Sequence, residues 1–144
     1  MKGIVVIVLA NILLVMGASA RDDVGSYSID EALSLEQSKE VLGTEVRFYF
    51  GDQSHGKVTK RYGEYTSNKK TNAFNKSDKE ACQWVFLSAM KALKDRALRE
   101  GGNAVINIKS NYKRRTSSSS DTFDCGAGAV MAGVTMVGTV VTIN

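Results

Sequence analysis

The chain has 144 residues, 43% of them hydrophobic and 24% charged, with a formal net charge of +4, two cysteines, one histidine and no proline. This length suits a single domain with one core, and two cysteines are too few for a heavily stapled scaffold. The excess of positive charge is too small to make nucleic acid an expected partner.

Residues 1–20 (MKGIVVIVLANILLVMGASA) carry one charge at Lys2, an apolar core from Ile4 to Met16 and a small-residue Ala18-Ser19-Ala20 end. That arrangement predicts an export signal cleaved after Ala20. The apolar run is broken by Asn11 and falls short of the roughly 20 residues needed to span a bilayer. No cysteine stands near Ala20 to accept a lipid, and no later segment is apolar for long enough to serve as a transmembrane anchor. The expectation is a soluble periplasmic or secreted product, residues 21–144 forming one α+β domain. Outside the cytoplasm, Cys82 and Cys125 are expected to form one disulfide. Closing that loop stabilises a fold by about 4 kcal/mol on the chain-entropy account.

Residues 21–25 read as a polar lead-in. Ser28-Ile29-Asp30-Glu31 has the S-x-x-E form of a capping box, so a short helix is predicted from there. Its stripe is Ile29, Ala32, Leu33, Val41 and Leu42, and Gly43 is placed for a left-handed cap. Residues 44–50 (TEVRFYF) and 58–66 (VTKRYGEYT) are β-branched and aromatic around a turn-rich GDQSHG, which predicts a hairpin, with a bulge at Gly63. Residues 67–76 (SNKKTNAFNK) read as a polar loop. Ser77-Asp78-Lys79-Glu80 is a second capping box, opening a long helix that Gly101-Gly102 would stop. Its apolar arc is read as Ala81, Trp84, Val85, Ala89 and Leu93, widened by Phe86, Leu87 and Met90.

Residues 103–112 (NAVINIKSNY) alternate as a strand, with Ala104, Ile106 and Ile108 expected on one side. A basic, serine-rich connector, residues 113–120, leads to two buried strands, near residues 121–131 and 134–143, with Gly133 or Gly138 marking a turn or bulge. The predicted fold is therefore α+β: a mainly antiparallel four- to five-stranded sheet packed on one long helix, plus a short N-terminal helix. A 23-residue helix runs about 34 Å, and the strand after it returns about 30 Å. Cys125 should thus arrive beside Cys82 near the helix start, with Ala127, Ala129 and Met131 facing the helix as well.

Catalytic material is sparse. His55 lies in a turn with Asp52 and Ser54, which leaves a secreted hydrolase as the weakest of three readings. His55, Cys82 and Cys125 lack metal-site spacing, and no P-loop or dinucleotide fingerprint occurs, so neither a metal nor a cofactor is expected. Asn75-Lys76-Ser77 matches a glycosylation sequon, but Ser77 is better used as a helix cap. The charge distribution is more telling: residues 21–45 are mainly acidic and residues 57–79 mainly basic. Lys69, Lys70 and Lys76 precede the long helix, and Lys113, Arg114 and Arg115 lie in the connector expected at the same end. With Ser77 at the helix N-terminus they make a candidate anion-binding end.

Three segments, residues 66–82 (TSNKKTNAFNKSDKEAC), 101–108 (GGNAVINI) and 125–134 (CGAGAVMAGV), resemble small exported bacterial proteins labelled as excinuclease ATPase subunits. The chain has none of the P-loops such a label implies. More distantly, the helix leading into G-N-A-V and a cysteine-bearing strand is similar to YbjQ-like domains and to the RcsF outer-membrane stress sensors. These resemblances imply an envelope role without catalysis. The leading expectation is a non-catalytic protein that binds an anionic envelope component, a glycan, a lipid or an envelope protein, through its basic end. The alternative is a structural or stress-sensing protein that pairs its glycine-rich C-terminal strand with a partner's sheet edge.

Overall fold

A computed structural model describes residues 23–144. The expected export signal and its cleavage site lie outside the described residues. The order is β1 (Asp23–Ser28), α1 (Ile29–Leu33), α2 (Glu36–Leu42), β2 (Arg47–Phe50), β3 (Val58–Asn72), α3 (Asp78–Glu100), β4 (Ala104–Tyr112), β5 (Arg115–Ser117), β6 (Thr122–Ala127) and β7 (Met131–Ile143). The fold is α+β as expected, but its sheet is mixed and has seven strands.

Both predicted serine N-caps form. Ser28 Oγ accepts from Glu31 N–H at 3.1 Å and Ser77 Oγ from Glu80 N–H at 3.0 Å. The first helix is nevertheless two short ones. Ser34 donates its hydroxyl back to the Asp30 carbonyl and Ser38 donates to Ala32, so the last carbonyls of α1 are satisfied without continuing the helix. Leu35 between them is extended. Gly43 ends α2 with φ +57° but an extended ψ of −150°, not the left-handed cap expected. Gly101 does adopt the left-handed conformation that closes α3.

The expected hairpin of β2 and β3 does not form. β2 pairs in parallel with β4, and β3 pairs with β7 over its whole length. Residues 67–72, expected in a loop, belong to β3, because β7 supplies backbone partners from Met131 to Met136 that local polarity cannot reveal. The bulge near Gly63 is present as a register shift between Arg61 and Gly63. β1 and β5 occupy stretches read as lead-in and connector. Both are polar strands whose ladders come from β6 and β4.

β7 is the spine of the sheet. β3 lines one side of it, while β6 and then β4 line the other, which curls the sheet. The glycine-rich C-terminal strand is therefore interior, with no long free edge to offer a partner. The turn before it is residues 128–130, where Gly128 N–H bonds the Met131 carbonyl, and Gly133 is inside the strand. Gly138 faces a bulge in β4 between Ile106 and Lys109. There Asn107 takes a φ of +51°, a conformation asparagine tolerates. The bulge shifts the side-chain alternation. Val105 and Ile108 join the main core, while Ala104 and Ile106 pack with Val141 and Ile143 in a second cluster on the other face.

The main core lies between α3 and the sheet. Phe86 stacks on Phe123 with centroids 4.1 Å apart, flanked by Phe50 and Tyr27. Cys82 and Cys125, both fully buried, are bonded beside them with Cα atoms 5.9 Å apart. Ala127 shares that buried face, but Ala129 and Met131 are exposed because β6 ends at Ala127. Trp84 is 45% exposed, at the margin of an arc centred on Cys82, Phe86, Ala89 and Leu93. No described helix is long and apolar enough to cross a membrane.

Candidate functional site

The sequence-predicted cations separate onto three parts of the surface. Lys69 and Lys70 are consecutive in β3, so the strand's pleat sends them to opposite faces. Lys69 pairs in register with Val134, which faces α3, and Lys70 with Gly133, on the outer face. Lys76 is folded back on its own loop, its ammonium donating to the Asn72 carbonyl at 3.0 Å. Ser77 is occupied as the α3 cap.

Lys113 and Arg114 form the two-residue connection between β4 and β5, with φ of +51° and +63°. Such primed turns match the twist of a hairpin and favour Asn-Gly, because side chains at positive φ are strained. This turn holds Tyr112 at the end of β4. Gly126 and Gly133, paired across β6 and β7, lie under the Tyr112 ring. A Cβ at Gly126 would collide with the phenol, and one at Gly133 would lie 3.2 Å from its Cε2.

The result is an outer groove of about 480 Å³ floored by Gly126 and Gly133, walled by Tyr112 and by Gly128–Ala132, with Lys70 and Lys113 on its sides. Val130 and Met131 on the rim are 61% and 47% exposed. Phe74, 63% exposed, follows Ala73, whose N–H bonds the Val130 carbonyl at 2.6 Å. A smaller hollow of about 190 Å³ adjoins it, lined by Val24, Tyr112, Lys113, Arg115 and Asp124. The Asp124 carboxylate, which accepts from Ser26 at 3.1 Å, tempers the charge there. Of the predicted anion-binding residues, Lys70, Lys113 and Arg115 thus gather around Tyr112, Arg114 lies in the same turn, and Lys69 lies across the sheet.

Tyr112, Gly126 and Gly133 carry one sequence signal: glycine within a β-rich run marks a place where something approaches the backbone closely. What approaches is decided by the hairpin returning over β6 and β7, which no local pattern specifies.

His55 Nδ1 lies 2.8 Å from the Gly56 carbonyl, and the ring is edge-on to Tyr49. No hydrogen bond joins it to Asp52 among the described residues. Cys82 and Cys125 are oxidised to one another and hold no thiolate for a metal. Among the described residues no three His, Cys, Asp or Glu side chains converge. Comparison with known proteins finds no matching family model, no matching curated protein and no matching solved structure.

Proposed function

We propose that this is an exported, non-catalytic envelope protein that binds an anionic phospholipid surface through the outer groove. The disulfide and the leader support export. The binding reading rests on one observation: Lys70 and Lys113, from elements distant in sequence, flank an apolar groove whose rim exposes Val130 and Met131. Apolar rim residues enter the acyl boundary while cations meet phosphates, the division of labour of peripheral membrane proteins. The strained turn adds support. Lys113 and Arg114 occupy positions where Asn-Gly is less costly, and strain of this kind collects at functional sites.

The test is co-sedimentation with vesicles of phosphatidylcholine, with and without phosphatidylglycerol. Each cation near an anionic surface contributes about 1 kcal/mol, so replacing Lys70, Lys113 and Arg114 with glutamine should weaken binding about 100-fold. Binding by the wild type should fall with added salt. Equal retention of wild type and variant on anionic vesicles rejects the lipid reading. Retention on an anionic glycan alone would move the ligand to that class.

A further inference from the structure

We infer that a second cleft, between β3 and the C-terminal half of α3, is a binding site for a phosphoryl group. It has a volume of about 300 Å³ and lies on the opposite face of β3 from the outer groove. Tyr65, Ser67 and Lys69 alternate along the helix-facing side of the strand, and Arg96 and Arg99 come from α3. Among the described residues the strand pairs only with β7 here, so its other edge carries no strand partner.

Two buried side-chain polar atoms lack a hydrogen-bond partner among the described residues, Ser67 Oγ and Arg96 Nε. Both belong to residues that line this one cleft. Buried polar groups are almost always paired, so the Ser67 hydroxyl, with neither a hydrogen bond nor an ion pair among the described residues, marks a site built for a polar occupant. Ser67 is 95% buried by accessible surface, with 5% exposed, and its hydroxyl can donate to a ligand oxygen. Arg96 lies 4.1 Å over the Tyr65 ring, which fixes the plane of its guanidinium. Its Nε is ion-paired with Glu100 Oε1 at 3.0 Å, which orients the arginine, and the guanidinium carries further donors on its terminal nitrogens. Contact with Tyr65 foremost, and the Glu100 carboxylate after it, raise the arginine's pKa further.

Lys69, Arg96 and Arg99 against Glu100 leave a net positive site, and neither Lys69 nor Arg99 has an ion-pair partner among the described residues. Arginine's planar set of donors suits the oxygens of a tetrahedral anion, and a serine hydroxyl beside it completes the recognition of a phosphoryl group. The volume takes that group with a small substituent, so a free phosphate, a phosphomonoester and a lipid headgroup share the required chemistry.

The experiment is calorimetric titration of the full chain with inorganic phosphate at fixed ionic strength, with sulfate and acetate as parallel probes. Saturable phosphate binding near about 1 mM or tighter is expected. Arg99→Ala should weaken it about tenfold and Ser67→Ala about threefold. Ser67→Ala should not lower the melting temperature in the absence of phosphate, because the hydroxyl has no internal partner, whereas a structural hydroxyl would. Lys70→Gln with Lys113→Gln should bind phosphate as the wild type does, which separates this site from the outer groove. Arg99-dependent binding to phosphatidic acid vesicles, without binding of free phosphate, would support the site with a headgroup as its ligand. No saturable response to either probe, equal response in Arg99→Ala and wild type, or equal response to acetate would overturn the proposal.

Discussion

Lys69 and Lys70 are neighbours in the chain, yet they serve two unlike clefts separated by the thickness of the sheet. The outer groove is apolar, floored by glycines and bordered by exposed Val130 and Met131. The helix-side cleft is polar and holds the unpartnered, buried Ser67 hydroxyl beside two arginines. The difference comes from one strand. Had residues 67–72 been a loop, both lysines could serve a single anion; as a strand, the pleat assigns alternate side chains to opposite faces.

The largest expected effect breaks the support of both clefts. Replacing Cys82 and Cys125 by serine should lower stability by about 4 kcal/mol, measured by urea unfolding. Hydrogen exchange should then rise more in β6, which carries the floor of the outer groove next to Cys125, than in β3. Comparable protection of the two strands would show that the groove does not depend on the bridge.

Gly126→Val separates the clefts more sharply. The added side chain collides with Tyr112, so a cost of about 2 kcal/mol is expected together with loss of vesicle binding. The phosphate response should survive. A groove that tolerates valine with unchanged vesicle binding would remove Tyr112 and the glycine floor from the reading.

Lys113→Asn with Arg114→Gly should stabilise the chain by about 1 kcal/mol, by relieving two side chains held at positive φ, while weakening vesicle binding. Loss of stability in thermal melts would mean that the turn is not strained. The smallest effect is Lys69→Gln, expected within about 0.5 kcal/mol of wild type in stability, with weaker phosphate binding and unchanged vesicle sedimentation. An equal loss in both assays would mean that the two faces act as one surface.

Much of the local structure is legible in the residues. Ser28 and Ser77 announce helix starts because a side-chain oxygen three residues before a backbone N–H is a purely local device. The Cys82–Cys125 bond follows from helix and strand lengths. The partners of β2 and β3 do not, because a turn-rich segment between two β-prone stretches looks the same whether the stretches pair together or with distant strands. The same limit explains β1, a short edge strand whose Val24 and Tyr27 fall on opposite faces and set no apolar alternation, and the face of Ile108, which a single residue at Asn107 reverses.

The candidate site divides along the same line. The basic clusters, the glycines and the prospect of an anion are properties of composition and spacing, and the residues alone carry them. Which cations act together is a matter of three-dimensional register. Only the pairing of β3 with β7, and the return of Tyr112 over Gly126 and Gly133, send Lys70 to Lys113 and Lys69 to Arg96 and Arg99, because long-range strand pairing rather than local preference decides which face each side chain occupies.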